Sequence, residues 1–348
     1  MAFTQGELDN IANAALDFYV RGPAFAQTIQ EKPLLNAMLA KQGTFPGGKG
    51  EISIPVQFDF DQSSFQGYTH NDTVSYTNPA NIKRAAYPWK ELHAGISLTL
   101  TELKHDGISV ADSLHSKSTK NHSQRDLTVL TGLLDNKLAD MAESWSRSFD
   151  EMLHADGSQD ALEVPGIAHL IAAAPATGVV GGIDRATVPF WRNRAATGGD
   201  AITPSAQNQT LTKFLRAELR QLRRYGGGNH LVVAGSAFLE ALEEEIHEKG
   251  VYTQQGFAKG DNDIGMSDIT MRGAGRFIYD PTLDDMNLEK RCYFIDMKNV
   301  GLKVMEGEDR KTHAPARPAD QYVLYRALTW TGGLTARQLN GCGVYDIT

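Results

Sequence analysis

Apolar residues recur along the chain with two different periods, and the change of period predicts where helices give way to strands. Spacings near 3.6 predict short amphipathic helices over residues 7–20 and 34–39, with Gly22 and Pro23 between them. From Glu51 the period becomes two, because apolar and polar residues alternate over 51–60. This alternation predicts a strand with one apolar face.

The same alternation returns over residues 96–101, and the stretch between the two patterns is polar and rich in Gly, Asn, Ser and Thr. A connection of about 35 residues is uncommon inside a compact domain. We therefore predict that residues 51–101 form an extended β-hairpin that projects from the body of the protein.

The longest periodic pattern covers residues 121–155, where apolar residues fall three or four positions apart without a proline. A helix of about 30 residues at 1.5 Å per residue would span roughly 45 Å. Asp156 and Gly157 are expected to end it. The pattern predicts one very long helix.

Residues 160–300 mix short apolar runs with two helical patterns, over 211–222 and 238–246, and a buried strand is expected between them at 231–234. Further strands are predicted at 293–295, 301–305 and 322–330, so the last part of the chain is rich in strands. The order of elements predicts an α+β fold.

Composition favours a folded protein, since 41% of the residues are hydrophobic and 22% are charged. The formal net charge is -8, and duplex DNA would require a concentrated basic face. The one dense basic stretch comprises Arg216, Arg220, Arg223 and Arg224, on a helix that also carries Glu218. A solvated or subunit-facing surface is favoured over a DNA site.

The sequence favours the cytoplasm over a membrane or an oxidising compartment. Cys292 and Cys342 lack the spacing of a zinc or redox pair, and no apolar run approaches the length of a membrane helix. Residues 1–10 lack the basic and apolar regions of a signal peptide.

Several patterns resemble functional motifs but lack an essential residue. Residues 43–50 match the phosphate-loop spacing, yet Gly50 stands where Ser or Thr would hold magnesium, and a helix precedes the pattern where a strand is required. A glycine hinge at Gly43, Gly47, Gly48 and Gly50 is the better interpretation.

The remaining candidates fail in similar ways. Ser236 lacks the flanking glycines of a nucleophile elbow, and His247 lacks a second histidine four residues away. Asp261, Asp263 and Asp268 depart from the calcium-loop spacing. We expect no catalytic residue, no cofactor and no bound metal.

One segment points to a known family. Residues 181–193 read GGIDRATVPFWRN, which resembles the G-G-I-x-R-x-x-x-x-x-W-R segment of one branch of the tailed-phage major capsid proteins. Its defining residues are Gly181, Gly182, Arg185, Trp191 and Arg192. Weaker matches lie at 87–90, 166–167, 279–281 and 318–321.

The order of the predicted elements also resembles this family, whose fold is the Hong Kong ninety-seven capsid fold. The resemblance implies an N-terminal arm over 1–50, an extended loop over 51–101, a peripheral domain and an axial domain. The peripheral domain would comprise 102–160 and 302–331, with the spine helix at 121–155. The axial domain would comprise 161–301 and 332–348.

The function implied by the resemblance is self-assembly into hexamers and pentamers of an icosahedral shell around double-stranded DNA. Phe65, Tyr68, Tyr76, Lys83 and Trp89 are the candidates for contact between subunits, although the aromatic residues could equally pack on their own subunit. Lys83 is the lysine nearest the tip of the loop, and we expect no covalent cross-link there.

Partners and location follow from the same resemblance. We expect a separate scaffolding protein, because the hairpin begins close to Met1, together with a portal and possible decoration proteins. The protein would lie in the virion capsid, and in the host cytoplasm during assembly. DNA would be enclosed without sequence-specific binding.

Two other functions stay open at the level of sequence. An encapsulin, the shell protein of a bacterial compartment, would share the fold and enclose an enzyme cargo. A cytoplasmic enzyme could bring together site residues that are far apart in the sequence.

Overall fold

The computed structural model of the protein describes residues 2–4, 30–57, 65–76, 81–105, 109–111, 124–225, 230–248, 270–271, 275–313 and 323–348. The predicted helix at 7–20 and the three aspartates at 261–268 lie outside these ranges. The described part combines helices with several sheets, which confirms the α+β class.

The helices, in chain order, are α1 Pro33–Ala40, α2 Leu100–His105, α3 Gln124–His154, α4 Ile167–Leu170, α5 Thr210–Leu222, α6 Ser236–Glu248 and α7 Pro281–Asp285. The strands are β1 Ala2–Thr4, β2 Gly43–Phe45, β3 Glu51–Gln57, β4 Ile82–Pro88, β5 Lys90–Thr99, β6 Ser109–Ala111, β7 Val179–Val180, β8 Ile183–Asp184, β9 Arg194–Ala196, β10 Leu231–Ala234, β11 Thr270–Met271, β12 Gly275–Tyr279, β13 Arg291–Ile295, β14 Val300–Met305, β15 Lys311–His313, β16 Val323–Ala336 and β17 Gly343–Asp346.

The chain forms two compact units. The first comprises residues 1–30, 90–149 and 304–332, and the second comprises 31–89, 150–303 and 333–348. Within the described residues no helix is both long and apolar enough to cross a membrane.

The first unit is built on an antiparallel pair of long strands. β5 runs against β16 with Thr99 opposite Val323 and Lys90 opposite Gly332, and β15 pairs with β16 as well. Leu138 and Met141 of α3 pack against half-buried residues of β5. The sheet therefore packs against this part of the long helix.

The long helix predicted at 121–155 is confirmed, since α3 runs without interruption over 31 residues. Towards its end the ring of Phe149 meets Trp330 of β16 edge to face, with 4.9 Å between the ring centroids. Such aromatic pairs add to the free energy gained from burying apolar surface.

The second unit contains a six-stranded sheet in the order β11, β12, β10, β13, β17, β9. Helices α5 and α6 contribute their apolar faces to the core of this sheet, as the spacing of their leucines predicted. The buried positions are Leu211, Leu215, Leu219, Leu222, Phe238 and Leu242.

The second unit also contains the hairpin, but its strands differ from those predicted. β3 pairs antiparallel with β4, from Glu51 opposite Pro88 to Gln57 opposite Ile82. The prediction that residues 96–101 return along β3 is wrong, because residues up to Thr99 belong to β5 and α2 begins at Leu100. The alternation over 96–98 reflects packing of Ile96 on the long helix.

Candidate assembly surface

The residues between β3 and β4 that the structure describes, 65–76, are almost entirely exposed. Phe65 is 93% exposed, Tyr68 is 70% exposed and Tyr76 is 91% exposed. Scattered apolar side chains are ordinary on a protein surface, but several large aromatic residues within one short segment are typical of a contact surface. We call residues 65–76 the hairpin tip.

A turn held by its own hydrogen bonds forms the middle of the hairpin tip. The amide and the hydroxyl of Thr69 donate to Oδ2 of Asp72 at 2.8 and 2.9 Å, and the Asp72 amide donates to the Thr69 carbonyl at 2.9 Å. The bonds from the Thr69 backbone and side chain lower the pKa of Asp72. The exposed aromatic residues therefore flank a locally defined turn.

In contrast to the tip, the paired strands of the hairpin are anchored in the second unit. Ile52, Val56, Ala85 and Tyr87 are buried. The Tyr87 hydroxyl donates to the carbonyl of Ala336 at 2.8 Å, and burial raises the pKa of this hydroxyl. The root of the hairpin is thus fixed by packing and by a buried hydrogen bond.

The other candidate contact residues lie close to this root. Lys83 is exposed on β4. Trp89 is half-buried, and its Nε1 donates to the carbonyl of Lys49 at 2.8 Å. This bond holds the ring of Trp89 beside the chain that enters β3, so Trp89 has a role within its own subunit.

The four glycines proposed as a hinge fall into two settings. Gly43 lies in β2, which pairs with β14, whereas Gly47, Gly48 and Gly50 lie in an exposed bend before β3. Gly48 has φ +106°, which other residues rarely adopt. Their role as a hinge stays a prediction.

The segment 181–193 supports the hairpin root. Gly181 and Gly182 turn the chain between β7 and β8 with φ values of +59° and +72°. The Gly181 carbonyl accepts a hydrogen bond of 3.0 Å from the amide of Ala86 in β4. A Cβ at Gly181 would approach Ala85 and Tyr87 to 3.1 Å, so the close approach of the turn to β4 requires glycine here.

The remaining motif residues bind backbone carbonyls inside the second unit. The buried guanidinium of Arg185 donates to the carbonyl of Leu170, and burial lowers its pKa. Trp191 Nε1 donates to the carbonyl of Val180 at 2.9 Å. The guanidinium of Arg192 donates to the carbonyls of Arg185 and Ala186 at 2.6 and 2.9 Å. The motif therefore acts as an internal framework, which its sequence alone did not reveal.

A buried cluster of Asp150, His154 and Asp280 was not predicted. His154 Nε2 lies 3.0 Å from Oδ2 of Asp280 and 3.8 Å from Oδ2 of Asp150, and each of the three residues is at most 1% exposed. Asp150 also accepts from the Leu35 amide at 3.2 Å and from the Thr282 hydroxyl at 2.6 Å. Their ligand atoms lie within 4.8 Å of one another, a spacing that could hold a metal ion.

This cluster joins the end of α3 to the beginnings of α1 and α7. Burial raises the pKa of Asp150, whereas the charge of His154 lowers it. Asp150 and His154 are four residues apart on one helix face, which is a signal visible in the sequence. Asp280 is 126 residues from His154, so only the fold brings it near.

A cavity of the second unit lies beside the motif and has a volume of about 500 Å³. Its lining combines arginines and amides with apolar residues, including Phe190, Arg192, Arg194 and Asn340. None of the lining residues is an acid, a histidine, a cysteine or a serine. This lining offers neither a nucleophile nor a general base.

The two cysteine thiols are also unsuited to nucleophilic chemistry. Cys292 and Cys342 are buried and free, and burial raises the pKa of both, to about 12 for Cys342. The thiolate is the reactive form of cysteine, so these side chains are inert packing residues.

Neither a family model nor a curated protein matches the sequence. Solved structures do match it: the chain superimposes on the cyanophage A-1(L) capsid asymmetric unit with a TM-score of 0.63 and 15% identity, over 94% of this chain and 96% of the other. This chain has the capsid fold of tailed phages.

Two more capsids agree with this fold along almost the whole chain. The capsid of the native GTA particle superimposes with a TM-score of 0.56 and 15% identity, over 97% of this chain and 98% of the other. The capsid of the Myoviridae phage XM1 gives 0.51 and 9% identity, over 94% and 95%. Each of the three superpositions therefore covers at least 94% of this chain.

Proposed function

We propose that this protein is the major capsid protein of a tailed phage, which assembles into hexamers and pentamers of an icosahedral shell around double-stranded DNA. The observation that carries the proposal is the match of almost the entire chain to capsid subunits. In this role the protein needs no catalytic site. Its location would be the virion capsid, and the host cytoplasm during assembly.

The hairpin supplies the physical basis for assembly. Its root is anchored in the second unit, whereas its tip exposes Phe65, Tyr68 and Tyr76 to solvent. Burial of an exposed aromatic side chain contributes about 1.5–3 kcal/mol. Because a closed shell repeats one contact many times, each contact can be individually weak. We assign the hairpin tip to contact with a neighbouring subunit.

The assignment of the chain to an arm, an extended loop, a peripheral domain and an axial domain is part of this proposal. So are the partners that a capsid protein of this kind would need, which are a scaffolding protein, a portal and, where present, a decoration protein. An encapsulin-type shell shares the capsid fold, and the contents of the particle distinguish the two.

Assembly itself is the first test. The chain has a mass of 38.1 kDa, so the purified protein is expected to form hexameric capsomers of about 230 kDa or much larger particles. Size-exclusion chromatography with light scattering and negative-stain electron microscopy measure this. A small discrete oligomer without capsomers at every protein and salt concentration tested would contradict the proposal.

Excision of the hairpin tip tests its role. Gln57 and Ile82 lie opposite each other at the end of the β3–β4 pair, so replacement of residues 58–81 by Asn-Gly can close the hairpin with a two-residue turn. The buried residues of both strands stay in place. We expect a folded protein, as judged by circular dichroism, that no longer assembles.

A milder variant removes the aromatic side chains of the hairpin tip and leaves its backbone in place. Phe65→Ser, Tyr68→Ser and Tyr76→Ser together should reduce assembly at least tenfold without a change in the thermal midpoint. The control is Leu162→Ser with Val179→Ser, which removes exposed apolar residues outside the hairpin, at 72% and 57% exposure. Normal shells from the excised protein would rule out the hairpin tip as an interface.

A further inference from the structure

Helix α5 and the turn after it present four cations on one exposed face. Lys213, Arg216, Arg220 and Arg223 follow one another at intervals of three or four residues, which places them along a single stripe. We call these four residues the basic stripe. Among the described residues none of the four has a carboxylate partner.

The helix dipole explains only part of the basic stripe. Cations in the last turn are favoured there by the partial negative charge of the helix end, which accounts for Arg220 and Arg223. It does not account for Lys213 and Arg216 earlier in the helix. Like charges four residues apart, such as Arg216 and Arg220, repel each other.

The opposite charge is concentrated on helix α6. Glu240, Glu243 and Glu244 occupy one helix face, with Glu240 and Glu244 exposed and Glu243 half-buried. We call these residues the acidic stripe. Within the described part of the chain they have no cationic partner, so the second unit carries two stripes of opposite sign that do not pair with each other.

Two other glutamates on the same helices have partners within the unit, unlike the residues of the two stripes. Glu218 of α5 binds Arg194 of β9 through both carboxylate oxygens, with one contact at 2.8 Å. Glu245 of α6 is buried and accepts from the amides of Leu211 and Thr212 at the start of α5, at 2.9 and 2.8 Å. Glu245 thereby fixes α5 and α6 to each other.

Both stripes are therefore displayed by one rigid support, since α5 and α6 share the core of the six-stranded sheet. A protein that carries two complementary patches can bind a second copy of itself head to tail. When the rotation between neighbouring copies closes a ring, both patches of every copy are occupied. Complementary charges also set the register of such contacts and reject wrong partners.

We infer that the basic stripe of one subunit binds the acidic stripe of the adjacent subunit within a capsomer. This inference rests on the proposed function, because it specifies the partner as another copy of the same chain. Duplex DNA is the competing ligand for the basic stripe, but DNA would leave the acidic stripe without a partner.

A charge swap tests the inference. The basic-reversal variant carries Lys213→Glu, Arg216→Glu and Arg220→Glu, and the acidic-reversal variant carries Glu240→Lys, Glu243→Lys and Glu244→Lys. Each variant alone should lower the assembled fraction at least tenfold in 0.1 M salt. Both sets combined should restore it to within threefold of the unchanged protein, because the attraction is re-formed with the signs exchanged.

The matched control reverses three exposed lysines of the same unit, Lys41→Glu, Lys290→Glu and Lys298→Glu. It changes the net charge as much as the basic reversal does and should assemble normally. The neutral variant Lys213→Gln, Arg216→Gln and Arg220→Gln guards against a folding defect, and it should lose assembly while it keeps its thermal midpoint.

Assembly is measured by light scattering and negative-stain microscopy. Normal assembly of either single reversal, or a swapped protein that assembles no better than the single reversals, would overturn the inference and leave the proposed function intact. Normal empty shells that fail only to retain DNA would assign the basic stripe to DNA instead. Failure of the unchanged protein to assemble would refute the proposed function, and this inference with it.

Discussion

At the scale of single residues, some charged side chains of the second unit are buried and hydrogen-bonded within the unit, whereas others are exposed to solvent. Asp150 lies among the helix ends that it joins and accepts bonds from Leu35 and Thr282. Exposed cations such as Arg216 have no such partner among the described residues. A buried carboxylate stabilises the fold through the donors that it satisfies, whereas an exposed ion pair contributes little to the stability of the fold.

Asp150 gives a prediction about stability and pH. Asp150→Ala should destabilise the fold by about 2–3 kcal/mol, because the Leu35 amide and the Thr282 hydroxyl lose a buried acceptor. Asp150→Asn should cost less, since the amide can accept from Leu35 and donate to Thr282. Denaturant unfolding followed by circular dichroism measures both.

The raised pKa of Asp150 fixes the sign of the pH effect. The folded protein holds this proton to a higher pH than the unfolded chain, whose carboxyl titrates near its ordinary value of 3.8. Stability from this group is therefore greatest below that value and falls as the pH rises through the folded pKa. The advantage of the unchanged protein over Asp150→Asn should shrink over that range, and a growing advantage would contradict the assignment.

At the scale of elements, a strand pair and a glycine turn cooperate to hold the hairpin. The turn at Gly181 and Gly182 bonds to β4 through Ala86 and leaves no room for a side chain at Gly181. The helices α1, α3, α5 and α6 could be predicted from the sequence, because each buries one face of a local apolar repeat. The partner of β3 could not, because the period of a strand reports which face is buried and not which strand lies beside it.

The two glycines of this turn form a matched pair for mutagenesis. Both have positive φ, so alanine strains the backbone at either position by about 1–2 kcal/mol. Only at Gly181 would the new Cβ also press on Ala85 and Tyr87, since nothing lies within 4 Å of a Cβ at Gly182.

Gly181→Ala should therefore lower the thermal midpoint more than Gly182→Ala, and it should also impair assembly because the hairpin root shifts. Differential scanning calorimetry and light scattering measure these effects. Equal losses for the two variants would show that the contact with β4 does not constrain the turn.

At the scale of the whole molecule, the capsid fold is recognisable although sequence identity to the solved capsids is only 15% or less in the three compared. A fold is kept when the volume and polarity of its core positions are preserved, and most individual side chains can then change. The motif at 181–193 supports this fold from inside, with its arginines bound to backbone carbonyls.

The contents of the particles distinguish a phage capsid from an encapsulin. Particles isolated from the cells that naturally produce the protein should hold nuclease-protected double-stranded DNA, measured after nuclease treatment and phenol extraction. A net charge of -8 suits a container that does not bind DNA tightly. A second protein in fixed stoichiometry and no protected DNA, by mass spectrometry and gel electrophoresis, would favour the encapsulin.

By itself the sequence determined the α+β class, the long helix, the helices of the second unit and the family resemblance, because these depend on local periodicity and on one short motif. Tertiary structure alone decided the pairing of β3 with β4, the contact of Asp280 with His154 and the internal role of Arg185. Each of these joins residues that no local pattern relates, and packing in three dimensions selects which distant groups meet.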